Sequence, residues 1–206
     1  MMQVSVRQTY RALLVDPPWA FRVWSEDTGN GRSASAHYPT MTVDELKVLP
    51  VPSLMAENCA VFMWATWPTL PDALALGAAW GLEYKTCAFN WVKLNKVQTD
   101  QPFVGMGYWT RANSEPCLLF TKGTPRRKSR AVRQIILEWI GGMFETETLA
   151  TPIQEHSQKP NAVYRRIEAL VEGPYCELFA RRVWRGWDRW GNEIDSTVRM
   201  EEAAAQ

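Results

Sequence analysis

The residues best suited to chemistry are Asp16-Pro17-Pro18-Trp19, which end the apolar run Ala12-Leu-Leu-Val15. Neither proline has an N–H, and Pro17 restricts Asp16 to extended conformations, so a strand reaching this point must stop in a stiff loop with the carboxylate at its tip. Ligands in α/β folds bind beyond the carboxyl ends of strands, where this loop lies. An acid beside a large aromatic suits a flat base with a polar edge: Asp16 accepts an N–H and Trp19 stacks. Alone, Asp-Pro-Pro is more often a simple turn. Glu177 lies inside the apolar run Tyr175-Cys-Glu-Leu-Phe-Ala180, and a buried acid there needs a hydrogen-bonding partner. Lys159 before Pro160 reads, by itself, as a solvated charge at a helix start.

Strands alternating with helices must position these groups. Cys59 to Ala65 is apolar on both faces, as a central strand of a parallel sheet is. Thr42-Val-Asp-Glu45 is a capping box opening a short helix towards Leu49, stopped by Pro50. A second helix starts at Thr69 or Asp72 and ends at Trp80, with Gly81 as its stop. Tyr84 to Val92, Cys117 to Phe120 and Ile135 to Ile140 read as further strands. Asn161 to Val171 carries a helical stripe of Val163, Tyr164, Ile167, Leu170 and Val171, closed by Gly173-Pro174. Tyr175 to Ala180 is the last clear strand. The alternation predicts a doubly wound α/β sheet in one domain over residues 1–206, with residues 1–10 and 196–206 flexible. Residues 20–38 are small, polar and aperiodic, as a functional lid is.

Composition narrows the classes. With 206 residues, 46% hydrophobic and 22% charged, the chain is an ordinary soluble globular domain, and a net charge of +1 leaves only local patches for nucleic acid. The run Arg126, Arg127, Lys128 and Arg130, with Lys122 and Arg133, is either a solvated face or a phosphate-backbone contact. Arg181, Arg182, Arg185 and Arg189 interleave with Trp184, Trp187 and Trp190. Of the 11 tryptophans, these three and Trp19, Trp24 and Trp109 fall in polar, loop-like surroundings where rings often meet a partner. Cys59, Cys87, Cys117 and Cys176 lie far apart, pointing to reduced thiols and a cytoplasmic setting. Two histidines and no Cys-x-x-Cys give no zinc site. Neither a signal peptide nor a membrane span is visible. Gly-x-Gly-x-x-Gly and the phosphate-binding Gly-x-x-x-x-Gly-Lys loop are absent, against nicotinamide dehydrogenases and nucleotide hydrolases.

Together, Asp16-Pro17-Pro18-Trp19 resemble the catalytic signature of amino methyltransferases, in the form used by the MT-A70 family of adenine-N6 methyltransferases. Further segments resemble that family in the same order. His37-Tyr38-Pro39 is similar to its gate, with Tyr38 enclosing the target adenine. Gly107-Tyr-Trp109-Thr-Arg111, with Glu115, resembles its Gly-x-Trp segment and implies substrate contacts. Ser157-Gln-Lys159-Pro160 is similar to its Ser-x-Lys-Pro loop, whose lysine holds the methionine carboxylate of S-adenosyl-L-methionine. Glu177-Leu-Phe179-Ala-Arg181 and Trp190-Gly-Asn192-Glu193 resemble its cofactor motif. Arg181, Asn192 and Glu193 are implied at the ribose and adenine edges, alongside Asp16. The likeness runs from Leu13 to Glu193. It implies a Rossmann-like sheet with the permuted motif order of β-class enzymes, the catalytic loop preceding the cofactor motif. Arg182-Val-Trp184 departs from the His-Asn of the eukaryotic branch, and Gly141 to Pro152 is longer than compact bacterial and phage members lead one to expect.

The chemistry so implied is methyl transfer to an exocyclic amine, whose lone pair is delocalised into the ring. Asp16 and the Pro17 carbonyl would each accept one N–H as the nitrogen becomes tetrahedral, with Trp19 and Tyr38 sandwiching the base. The compact form favours DNA over RNA as substrate. A homodimer, a partner subunit, and a non-catalytic nucleic-acid-binding role are all compatible with the sequence.

Overall fold

A computed structural model describes residues 8–20, 40–94, 102, 104–105, 107, 109–139 and 159–200. Its strands are β1 (Tyr10–Val15), β2 (Met55–Trp64), β3 (Glu83–Leu94), β4 (Ser114–Lys122), β5 (Ile135–Trp139), β6 (Tyr175–Leu178) and β7 (Trp187–Trp190). Helices α1 (Val43–Lys47), α2 (Leu70–Ala79) and α3 (Ala162–Leu170) connect them. One sheet results, ordered β5-β3-β4-β2-β1-β6-β7. It is parallel throughout except for β4, which runs antiparallel to both β2 and β3. The chain works outwards from β1 in one direction and returns to its other side with β6. That puts the topological switch point between β1 and β6, where α/β sheets bind ligands.

Strand alternation sorts the side chains into two cores. Leu13, Val15, Val61, Met63, Leu118, Phe120, Cys176 and Leu178 pack with Leu46 of α1 and Ala73 and Leu76 of α2. Ala12, Leu14, Ala60, Phe62, Trp64, Phe89, Trp91, Cys117 and Ile136 pack with Val163, Tyr164 and Ile167 of α3. The predicted capping box of α1 is present, with Thr42 and Glu45 bonding each other's backbone N–H. Gly81 follows α2 with φ +74°, a conformation glycine adopts without a Cβ clash. All four cysteines are free. Among the described residues, no helix is long and apolar enough to cross a membrane.

Three expectations need correction. Trp187 and Trp190 bound a seventh strand rather than a loop, because β7 pairs in parallel with β6. The chain ends as described are held in place. Tyr10 is buried and donates to Asp188 at 2.9 Å, Thr197 bonds the Arg189 backbone, and Val198 enters the core. The basic run 126–130 lies at the wrong edge for the acidic loop. Since β4 is antiparallel, it carries the chain from Glu115 to Lys122, about 23 Å away. There Lys128 meets the far end of α3, donating to the Glu168 carbonyl at 3.0 Å and pairing with Glu172 at 3.3 Å. Lys128 completes a helix C-terminus, a standard place for a cation.

Glycine inside α2 is a packing requirement. A Cβ on Gly77 would lie 2.4 Å from the buried ring of Phe120. Alanine is the better helix former, yet Gly77→Ala is expected to destabilise the protein by about 1–3 kcal/mol through overpacking. Denaturant midpoints measure this, and a more stable variant would contradict the packing account.

Candidate active site

The acidic loop is fixed by its own backbone. Pro17 carbonyl accepts the Trp19 N–H at 2.8 Å, closing a three-residue turn. Pro18 carbonyl accepts from Met41 at 2.9 Å, and Trp19 and Met41 form a bridge. The Trp19 indole donates to the Trp64 carbonyl at 3.1 Å, and the ring is only 5% exposed. This corrects the stacking role expected of Trp19: its ring is a core anchor, with no face left for a base. The Pro17 carbonyl keeps one lone pair for an incoming amine. His37 and Tyr38, the expected gate, and Ser157 lie outside the described residues, as do Trp24 and 141–152.

Alternation turns Asp16 away from Val15 and onto the α3 face of the sheet, the face that also bears Trp64, Trp91 and Cys117. Four charges meet there. Lys159, just before α3, lies 2.9 Å from Asp16 and 3.4 Å from Glu115. Glu115, at the start of β4, is 2.5 Å from Lys93 at the end of β3. Side-chain exposure is 14% for Lys159 and Asp16, and 19% for Glu115. Burial opposes the Lys159 charge, but the two carboxylates outweigh it and hold its pKa above the ordinary lysine value. Burial likewise works against ionised Glu115, and Lys159 and Lys93 overcome it, leaving its pKa lowered. Glu115, implied by resemblance as a substrate contact, is thus the hinge of an alternating ion ladder.

Arg182 sets the backbone of this lysine. It donates to the Lys159 carbonyl at 2.7 Å and to the Asn161 side chain. Its position in an arginine–tryptophan run gave no sign of that task. Glu177 stands between Cys176 and Leu178, which face the opposite core, so it points towards α3. There the Tyr164 hydroxyl donates to it at 2.8 Å. Tyr164 is stacked on Trp184 with centroids 4.6 Å apart, and Trp184 and Trp187 both donate to Glu168. These rings therefore hold α3 against β6 and β7.

Asp16, Lys159, Tyr164, Glu177, Phe179, Arg181 and Arg182 line one cleft at the switch point. Phe179 takes φ +61° just after β6 and packs edge-on against Trp190. Arg181 reaches Glu193 at 3.6 Å. Asn192 is exposed and is not among the cleft walls; at the neighbouring turn a Cβ on Gly191 would lie 2.3 Å from the Ala180 carbonyl oxygen. Trp109 and Arg111 are exposed on the β3–β4 connection, apart from the cleft. The assembled groups can hold an anion at Lys159, accept hydroxyl donors at Glu177, and accept an amine proton at Asp16.

Burial raises the Glu177 pKa from 4.5 to about 7, against the opposing Tyr164 hydrogen bond. The folded state therefore binds this proton more tightly than the unfolded chain. Its stabilisation is complete below about pH 4.5 and is lost as pH rises through about 7. Relative to Glu177→Gln, the protein is expected to lose on the order of 3 kcal/mol across that interval. Denaturant midpoints over a pH series test it, and a difference independent of pH would contradict the burial of an ionisable acid here.

Comparison with known proteins follows the same outline. The MT-A70 family profile matches residues 10–193, from β1 to the turn holding Glu193. The chain is 37% identical to the Type II methyltransferase M.MunI of Mycoplasma sp, over 91% of this chain and 79% of that protein. It is 25% identical to the N(6)-adenosine-methyltransferase MT-A70-like of Arabidopsis thaliana, over 97% of this chain and 26% of the plant protein. Identity to the N6-methyladenosine RNA methyltransferase MTA1 of Pyricularia oryzae is also 25%, over 90% and 47% of the respective chains. A profile spanning nearly the whole sheet, together with these relatives, means that the chain belongs to the MT-A70 family.

Proposed function

We propose that this protein transfers a methyl group from S-adenosyl-L-methionine to N6 of adenine in DNA, with S-adenosyl-L-homocysteine as the product. The observation that carries the reading is the contact of Asp16 with Lys159 inside the cleft that Glu177 and Phe179 also line. The groups present suit such a cofactor. Lys159 offers a buried cation to a carboxylate, and Glu177 offers an acceptor to ribose hydroxyls, since Tyr164 occupies only one of its oxygens. Phe179 and Arg181 supply an aromatic surface and a donor for the remaining end. When bound, the cofactor supplies a methyl group on a sulfonium centre.

The chain's own residues do the rest by position and charge. Asp16 accepts one N–H of the target amine through the oxygen not engaged by Lys159, and the free lone pair of Pro17 carbonyl accepts the other. Both acceptors favour the tetrahedral nitrogen of the transition state over the planar ground state. The loop cannot retreat, because Trp19 and Pro18 tie it to Trp64 and Met41. In a duplex the base would be flipped out before it could reach this loop. DNA is proposed as substrate because the chain is 37% identical to the bacterial Type II methyltransferase and only 25% identical to the fungal RNA enzyme. The second reading is the same chemistry on RNA adenosine, which the fungal and plant relatives favour by their names.

Incubation with DNA and with RNA, digestion to nucleosides and mass spectrometry separate the two. N6-methyladenine in neither pool would overturn both. Asp16→Ala is expected to lower the rate by at least ~10²-fold, as loss of one transition-state hydrogen bond does. It should remain folded by circular dichroism, because Lys159 keeps Glu115 as a partner. Retained activity, or a variant that unfolds, would remove Asp16 from the mechanism.

A further inference from the structure

The sheet edge that holds the Asp16 loop also bears apolar surface that methyl transfer does not use. Trp109 is 99% exposed, Val104 64% and Trp67 49%. Trp67 follows β2 in a short 3-10 turn, and its indole donates to the Ser114 hydroxyl at 3.1 Å, which fixes the ring beside the start of β4. Trp109 sits at the bend of the β3–β4 connection. The stems of that connection are tied by Lys93 N–H to the Asn113 carbonyl, by the Leu94–Pro102 bridge, and by Gly105 N–H to the Ala112 carbonyl. The bend is tight: a Cβ on Gly107 would lie 2.0 Å from the Thr110 carbonyl oxygen.

Two cations accompany these rings. Lys93 sits over Trp91 at 4.5 Å, with its charge matched by Glu115. Arg111, two residues from Trp109, is exposed and makes no ion pair among the described residues. Along the sheet edge, β4 is separated from β1 by β2 alone, so Trp67 and Ser114 lie about 10 Å from the strand that ends in Asp16. Large exposed rings beside an exposed arginine match the construction of single-strand nucleic-acid surfaces, where bases stack on aromatics and cations follow the backbone.

We infer that Trp67 and Trp109 are stacking platforms for the bases flanking the target adenine, with Arg111, two residues from Trp109, taking a phosphate. The ligand is an unstacked single strand, since a duplex offers no free base faces to two separate rings. The inference rests on the adenine-methyltransferase reading and assigns Trp109 and Arg111 to the flanking nucleotides rather than to the target base.

The test uses the full chain and a single-stranded oligodeoxynucleotide with one adenine, carrying 2-aminopurine beside it. Because Trp109 is 99% exposed, Trp109→Ala leaves the fold intact, checked by its heat of S-adenosyl-L-methionine binding. The expected result is loss of 2-aminopurine quenching and binding roughly 5- to 150-fold weaker, the range of one aromatic stack. Trp109→Phe should restore most of the affinity. Arg111→Gln should flatten the salt dependence by about one phosphate contact. Wild-type affinity in Trp109→Ala, an effect confined to duplex, or conversion of a dimer to a monomer in sedimentation would each overturn the inference. A wild-type protein that methylates no nucleic acid would instead overturn the proposed function, which keeps the two failures apart.

Discussion

The constraint on which the site depends is that a buried lysine must answer two acids. Lys159 touches both Asp16 and Glu115, and Lys93 closes the row behind Glu115. Charges this shielded from water are tolerated only when each has an opposite partner, and removing one partner of such a pair is far costlier than the pair is stabilising. The ladder therefore ties together the ends of β1, β3 and β4 and the entry to α3. It also gives the Asp16 carboxylate one fixed partner, so its remaining oxygen has a defined direction.

The second half of the cleft is built differently. Among the described residues, Glu177 forms no ion pair with a cation. It has the Tyr164 hydroxyl, and that tyrosine is held by stacked tryptophans whose indoles share the Glu168 carboxylate. Burial leaves this acid close to protonated near neutral pH, against the Tyr164 hydrogen bond, and one of its oxygens stays open. One wall of the site is thus organised by full charges and the other by aromatic packing. Arg182 joins the two by fixing the backbone of Lys159 across from β6.

Strand direction explains why these walls lie where they do. A single antiparallel strand, β4, brings Glu115 to the same edge as the carboxyl ends of β1, β2 and β6, while carrying the basic run to the opposite edge. Alternation along each strand then selects the α3 face for Asp16, Glu115 and Glu177. The site lies where β1 and β6 stop and β4 starts.

Much of this was legible in the chain. Two prolines after Val15 dictate where β1 ends, because they cannot donate to a ladder. Thr42 and Glu45 dictate the start of α1, because a capping box is a local contact. The acid inside Tyr175–Ala180 announced a site because an unpartnered buried carboxylate is unfavourable. Tertiary structure decided what no local rule encodes. It turned Trp19 from a stacking surface into an anchor, since the Trp64 carbonyl it bonds is far away in sequence. It made Arg182 and Tyr164 supports for Lys159 and Glu177, and it sent Arg126–Arg130 to the far edge, since the direction of β4 depends on which strands it pairs with. Residue type and short spacing determine backbone stops and caps; the partner that satisfies a buried charge or ring comes from elsewhere in the chain, and only the folded sheet specifies it.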